Sequence, residues 1–152
     1  MNQIGESGMP KHVLLIEDSP GDVRLTREAL SEANPEIELS VAADGIEAMS
    51  FLNQQNEHSH APRPDMILLD LNLPLMDGRE VLARIKGDDA LKTIPTIILT
   101  TSQAQADIST SYELQANSYL CKPVRLDEFM DLVKSINDFW MMKAKLPNWP
   151  GE

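Results

Sequence analysis

Met66-Ile67-Leu68-Leu69-Asp70 is an unbroken apolar run that ends on an acid. A strand with one wet face alternates apolar and polar residues. A continuously apolar strand is covered on both faces, as in a parallel sheet flanked by helices. Three neighbouring runs have the same build. His12-Val13-Leu14-Leu15-Ile16 leads into Glu17-Asp18, Thr96-Ile97-Ile98-Leu99 into Thr100, and Tyr119-Leu120-Cys121 into Lys122-Pro123. Helical patterns lie between them.

Working outward, Ser19-Pro20-Gly21-Asp22 opens the first helix. Ser19 is the cap, Pro20 suits the first position and Asp22 completes a box-like cap. Asn34-Pro35 stops that helix. A second strand spans about Ile37 to Ala42. Asp44 caps a helix carrying Ile46, Met49, Phe51 and Leu52. A polar loop runs from Glu57 to Pro64, and Leu73-Pro74-Leu75-Met76 forms another. Asp77-Gly78-Arg79-Glu80 starts the third helix, with Asp77 as cap. Pro95 opens the fourth strand. The fourth helix is about Ala104 to Gln115, and the fifth runs from near Arg125 to about Met142. Strict β-α alternation with right-handed crossovers predicts an α/β fold: a doubly wound parallel sheet of five strands with five helices. The expected division is a flexible N-terminus at 1–10, one domain at 11–143 and a tail at 144–152.

The chain has 152 residues, 42% of them hydrophobic, and a formal net charge of −11. That length favours one domain. A pI near 4.6 speaks against direct nucleic-acid binding. Cys121 is the single cysteine, so no intramolecular disulfide can form, which fits a reducing compartment. Met1 to Pro10 lacks a signal pattern, and no apolar run approaches the roughly 18 residues of a membrane span. The expectation is a soluble cytoplasmic protein without membrane contact.

Open parallel sheets bind ligands outside the carboxyl ends of their strands, where strand order reverses. Glu17, Asp18, Asp70, Thr100 and Lys122 should therefore meet. Each alone is most simply a solvated polar group, but four strand ends matched to one chemistry make coincidence a poor account. Three carboxylates, a hydroxyl and an ammonium suit a divalent cation and a phosphoryl group. Asp70 can attack phosphorus to give an acyl phosphate. Hard oxygen ligands select Mg²⁺, with Asp18 and Asp70 as direct ligands, Glu17 holding a water and the Asn72 backbone carbonyl completing the set. Lys122 would neutralise phosphoryl oxygens, and Thr100 would donate to one.

Leu15-Ile16-Glu17-Asp18, the stretch from Leu69 through Asp70 to Asp77-Gly78, Leu99-Thr100-Thr101 and Lys122-Pro123 carry a resemblance. From about Lys11 to Ile136 the chain resembles a two-component response-regulator receiver domain. The resemblance implies a flavodoxin-like sheet in the order 2-1-3-4-5 and a sensor histidine kinase as phosphoryl donor. It puts the phospho-acceptor on Asp70, the acidic metal pair on Glu17 and Asp18, the switch hydroxyl on Thr100 and the switch aromatic on Tyr119. It also puts the site lysine on Lys122, before a proline that is often cis in the family, here Pro123. Glu17 stands where many members have Asp. Asp18-Ser19-Pro20-Gly21-Asp22, Leu99-Thr100-Thr101-Ser102, Ala116-Asn117-Ser118-Tyr119 and Asp138-Phe139-Trp140 are similar to the small stand-alone regulators paired with cyanobacterial phytochromes. The output implied is phosphorylation-dependent protein–protein interaction.

Three other classes compete. An aspartyl-nucleophile phosphatase of the haloacid-dehalogenase kind would carry an acid two residues after Asp70, where Asn72 stands. A flavin carrier would find its phosphate repelled by Glu17, Asp18 and Asp22. A receiver-like scaffold that is never phosphorylated would not need the intact site.

The remaining polar features have plain readings. His58 and His60 belong to a solvated loop, Cys121 is a buried inert thiol, and Asp88, Asp89 and Asp107 are helix-cap or surface charges. In the last helix Leu126, Phe129, Val133, Ile136 and Trp140 form one apolar stripe, widened by Leu132, Phe139 and Met142. One helix face suffices to cover a sheet. The surplus, with Met141 and Trp149, predicts a homodimer through Phe129, Phe139, Trp140 and Met142.

Overall fold

The structure, a computed structural model, describes residues 10–147. Nearly all of the expected flexible N-terminus, the end of the tail and Trp149 lie outside the described residues. Among these residues five strands alternate with five α-helices: β1 His12–Ile16, α1 Pro20–Ala33, β2 Glu38–Ala42, α2 Gly45–Leu52, β3 Met66–Leu69, α3 Gly78–Gly87, β4 Thr96–Thr100, α4 Gln105–Glu113, β5 Ser118–Cys121 and α5 Leu126–Ile136. All strand pairs are parallel, and the order is β2-β1-β3-β4-β5. The chain leaves β1 for β2 on one side and returns to β3 on the other, so strand order reverses at the β1/β3 pair.

Alternation along the strands divides the core in two. Leu14, Ile16, Ile67, Leu69 and Ile98 pack on one face with Phe51 of α2 and Val81, Leu82 and Ile85 of α3. Val13, Leu15, Met66, Leu68, Ile97 and Leu99 pack on the other with Ala29 and Leu30 of α1 and Phe129, Val133 and Ile136 of α5. Covering both faces of β3 explains its lack of polar residues.

Local capping works as the sequence predicts at three helix starts. Ser19 Oγ accepts the Asp22 N–H at 3.3 Å, Asp44 the Glu47 N–H at 2.7 Å and Asp77 the Arg79 N–H at 2.9 Å. The expected box at Ser19 does not close through Asp22, however. The Ser19 N–H donates to Glu17 at 3.1 Å, and the Asp22 carboxylate is drawn to Lys122. A desolvated ammonium binds a carboxylate more strongly than a backbone amide does.

The C-terminal helix also differs from its prediction. It reaches past Met142, but α5 ends at Ile136 and a π-helical segment, Asn137–Lys143, follows. The Ala144 N–H closes on the Phe139 carbonyl at 2.7 Å, a five-residue step. That step re-phases the apolar residues. Met141 turns into the core, and Phe129, only 4% exposed, already belongs to it; neither offers a partner surface. Trp140 packs partly against the same core, while Phe139 and Met142 stay 55% and 54% exposed. Finally, every peptide bond among the described residues is trans. Lys122-Pro123 thus takes the lower-energy isomer of an X–Pro bond rather than the cis form the resemblance implies.

Candidate functional site

Asp70 follows β3 directly. Its N–H continues the ladder onto the Ile16 carbonyl at 3.0 Å, so the acid stands beside Glu17, which leaves β1 in register. The Glu17 N–H is held in turn by the Ala42 carbonyl at 3.0 Å. Glu17 and Asp70 are buried and Asp18 is exposed. Each of the three offers an oxygen, and these lie within 4.8 Å of one another. A compact, all-oxygen donor set with one open flank fits a hard divalent cation that keeps several waters. Asn72, in the loop after β3, donates its N–H to Asp70 Oδ1 at 3.1 Å. That bond orients the carboxylate.

Lys122 comes off β5, its N–H on the Thr100 carbonyl at 2.8 Å. Its ammonium donates to Glu17 Oε1 at 2.5 Å, Asp22 Oδ2 at 2.8 Å and Asp70 Oδ2 at 3.0 Å. The side chain is 6% exposed. Burial alone would lower the Lys122 pKa, but its hydrogen bonds to Asp22 and Glu17, together with the charges of Glu17 and Asp70, outweigh it and hold the group above its ordinary value. Burial pushes Glu17 up to about 7, against the opposing pull of Lys122 and with Asp70 adding to the rise. One cation thus stands among four carboxyl groups.

Thr100 ends β4 and is wholly buried. Its Oγ1 has no hydrogen-bond partner, an arrangement that costs about 1–3 kcal/mol. Such a hydroxyl is suited to a new acceptor. Tyr119 of β5 is largely buried; its hydroxyl donates to the Ser102 carbonyl at 3.0 Å. Burial raises the phenol pKa, so the group remains a donor. Cys121 is half-buried rather than buried, and its thiol donates to the same Ser102 carbonyl at 3.4 Å.

Sequence reasoning brought together Glu17, Asp18, Asp70 and Lys122, but it missed Asp22 as a partner of the lysine. An ammonium has three donors, and three carboxylates take them here; α1 begins at the same sheet edge. Asp107 was misread as well. It accepts from Arg79 Nε at 3.1 Å and from Ser102 Oγ at 2.6 Å, and those two bonds, Ser102 first, depress its pKa. Arg79 also reaches Asp77 at 2.9 Å, so this cluster ties the start of α3 to the start of α4. Asp88 and Asp89 do behave as turn and surface charges. His58 is not simply solvated. Its ring packs on Phe51 at 5.3 Å, and its Nε2 stands 3.8 Å from Glu47. Glu57 completes a second small group of metal-capable atoms there. His60 is exposed. The C-terminal residues Phe139, Trp140 and Met142 lie on the face of the sheet opposite α3, in the α1–α5 layer.

The chain matches the family model described as response regulator receiver domain over residues 13–134. Response regulator Rcp1 of Synechocystis sp. strain PCC 6803 is 49% identical over 142 residues, covering 93% of this chain and 97% of that protein. The crystal structure of the Mn²⁺-bound form of Rcp1 superimposes with a TM-score of 0.88 at 48% identity, over 91% of this chain and 100% of the other. The phosphorylated cyanobacterial phytochrome response regulator RcpA gives 0.89 at 47% identity, over 91% and 99%.

Proposed function

The chain belongs to the response-regulator receiver family, and on that premise we propose that Asp70 accepts a phosphoryl group from the phosphohistidine of a sensor histidine kinase. The observation that carries this reading is the convergence of Glu17, Asp18 and Asp70 in one oxygen cluster, with the Lys122 ammonium on Asp70. A carboxylate oxygen of Asp70 attacks phosphorus, the P–N bond to the donor imidazole breaks and an acyl phosphate remains. Mg²⁺ is the cation we assign to Glu17, Asp18, Asp70 and the Asn72 carbonyl; when bound, it offsets the negative charge gathered on the transferring group. Lys122 neutralises a phosphoryl oxygen, and Asn72 keeps the nucleophile oriented. Labelling with acetyl phosphate tests the assignment. Asp70→Asn should take up no label, and a labelled mutant would move the acceptor elsewhere.

The switch we assign runs from Thr100 to Tyr119. The unpartnered Thr100 hydroxyl gains an acceptor when Asp70 carries a phosphoryl group, and Tyr119 repacks behind it. Contacts that differ between two states are what shift their balance. Thr100→Ala should therefore label normally but lose most of its phosphorylation-dependent change in partner binding.

Two partners complete the proposal. The kinase is a phytochrome, a reading supported by the phytochrome response regulators among the similar structures. The second partner is another copy of this chain. Phe139 and Met142 are its contact residues, with the Trp140 ring set edge-on behind Phe139 at 5.2 Å.

A further inference from the structure

Lys122 has three N–H donors, and three different carboxylates take them. Two of the three, Glu17 and Asp70, belong to the oxygen cluster suited to a divalent cation; Asp22 does not. A cation seated on Glu17 and Asp70 would draw on their charge and repel the ammonium. At 6% exposure Lys122 cannot turn to water instead, and a buried ammonium without a counter-ion is strongly disfavoured. With only Glu17 and Asp70 as partners, Lys122 would compete with the cation for both.

We propose that Asp22 is the positioning residue for Lys122, the carboxylate that keeps the ammonium in place when a divalent cation takes Glu17 and Asp70. The inference rests on the preceding reading of Glu17, Asp18 and Asp70 as the cation's ligands. Asp22 is built for the role. It stands in the first turn of α1, where its N–H is fixed on Ser19 Oγ while its side chain is left free of capping work. Its carboxylate is 32% exposed, so water solvates the outer side while the inner oxygen holds Lys122. Asp22 thereby lets one lysine serve both a metal-free and a metal-loaded site without leaving it.

Free Mn²⁺ measured by electron paramagnetic resonance on the full chain, without any phosphoryl donor, tests the idea. Asp22→Asn should weaken Mn²⁺ binding about tenfold, since Lys122 then falls back on Glu17 and Asp70, and Asp22→Glu should recover most of the loss. A simple loss of negative charge would also weaken binding, so the cycle is completed with Lys122→Met. In that background Asp22→Asn should change affinity by less than about twofold. Equal losses in both backgrounds would show that Asp22 acts by charge alone and would overturn the proposal, as would no loss in the wild-type background. Far-UV circular dichroism confirms that each variant is folded before titration. Glu17→Gln and Asp18→Asn serve as separate controls. If they bind Mn²⁺ like wild type, the ligand assignment itself has failed; if they lose binding and the cycle is additive, only the role of Asp22 has failed.

Discussion

Glu17 is where solution pH should act on this protein. Burial holds its carboxyl up at about 7, against an ordinary 4.5. Between those values the metal-free fold binds a proton that the unfolded chain releases. Its contribution to stability is therefore largest below pH 4.5 and is lost as pH rises toward 7. A cation needs the ionised form, so its affinity moves the other way. Mg²⁺ titrations by calorimetry should tighten about tenfold from pH 6 to pH 8, and Glu17→Gln should remove most of that dependence. At this scale the residues whose place in the fold is legible in the sequence are those for which position follows from one local run. A polar residue ending an apolar strand must emerge at the sheet's carboxyl edge, which places Glu17, Asp70, Thr100 and Lys122. Asp22 and Asp107 escaped because the cations they meet, Lys122 and Arg79, are distant in the chain. Nothing within α1 says that Asp22 will meet a lysine from β5.

The elements show the same division between local and tertiary causes. Ser19, Asp44 and Asp77 cap α1, α2 and α3 because a cap needs only its own next few residues. Helix α3 starts so close to the loop after β3 that its first residue must be glycine. A Cβ on Gly78 would lie 2.4 Å from the Asp70 carbonyl oxygen and 2.6 Å from Leu71 Cα, both backbone atoms that cannot give way alone. Gly78→Ala should cost about 2 kcal/mol or more, within the range of overpacked sites. Gly87, at the far end of the same helix, has nothing within 4 Å of such a Cβ. Gly87→Ala should be neutral or stabilise by up to about 1 kcal/mol, the helix-propensity gain. Urea denaturation of both variants makes the comparison. The π-helical end of α5 could not be read from spacing. A 3.6-residue period strings Phe129, Val133, Ile136 and Trp140 into one stripe, but the five-residue closure after Ile136 depends on how Met141 packs beneath α1. Asn34, which caps α1, donates to Asn137 at 3.5 Å, a contact between residues far apart in sequence.

For the whole molecule, the self-association we propose falls to Phe139 and Met142, the two of the four expected contact residues that stay more than half exposed. Removing the chain from Asp138 onward would also remove Met141, which is 1% exposed, so surface substitutions give the cleaner measurement. Sedimentation equilibrium at about 10–50 micromolar, a range that reports ordinary protein–protein dissociation constants, should show a dimer for the wild type. Phe139→Lys with Met142→Lys should sediment as a monomer; a monomeric wild type would sink the claim.

The sheet that separates the two halves of the core works as a bulkhead. Leu71, next to Asp70 in the chain, lies with Met76 and Tyr119 on the α2–α4 side, whereas Phe129, Met141 and Trp140 lie on the α1–α5 side. A change of state at Asp70 should spread through the first compartment and stop at the strands. The C-terminal contact would then be a constitutive attachment and the α3–α4–β5 flank a conditional one, so that a single chain can stay coupled to one neighbour while offering a second a surface that comes and goes. Hydrogen exchange with and without a beryllofluoride phosphoryl mimic should show protection changing in 71–78 and 101–121 while 126–143 exchanges alike in both states.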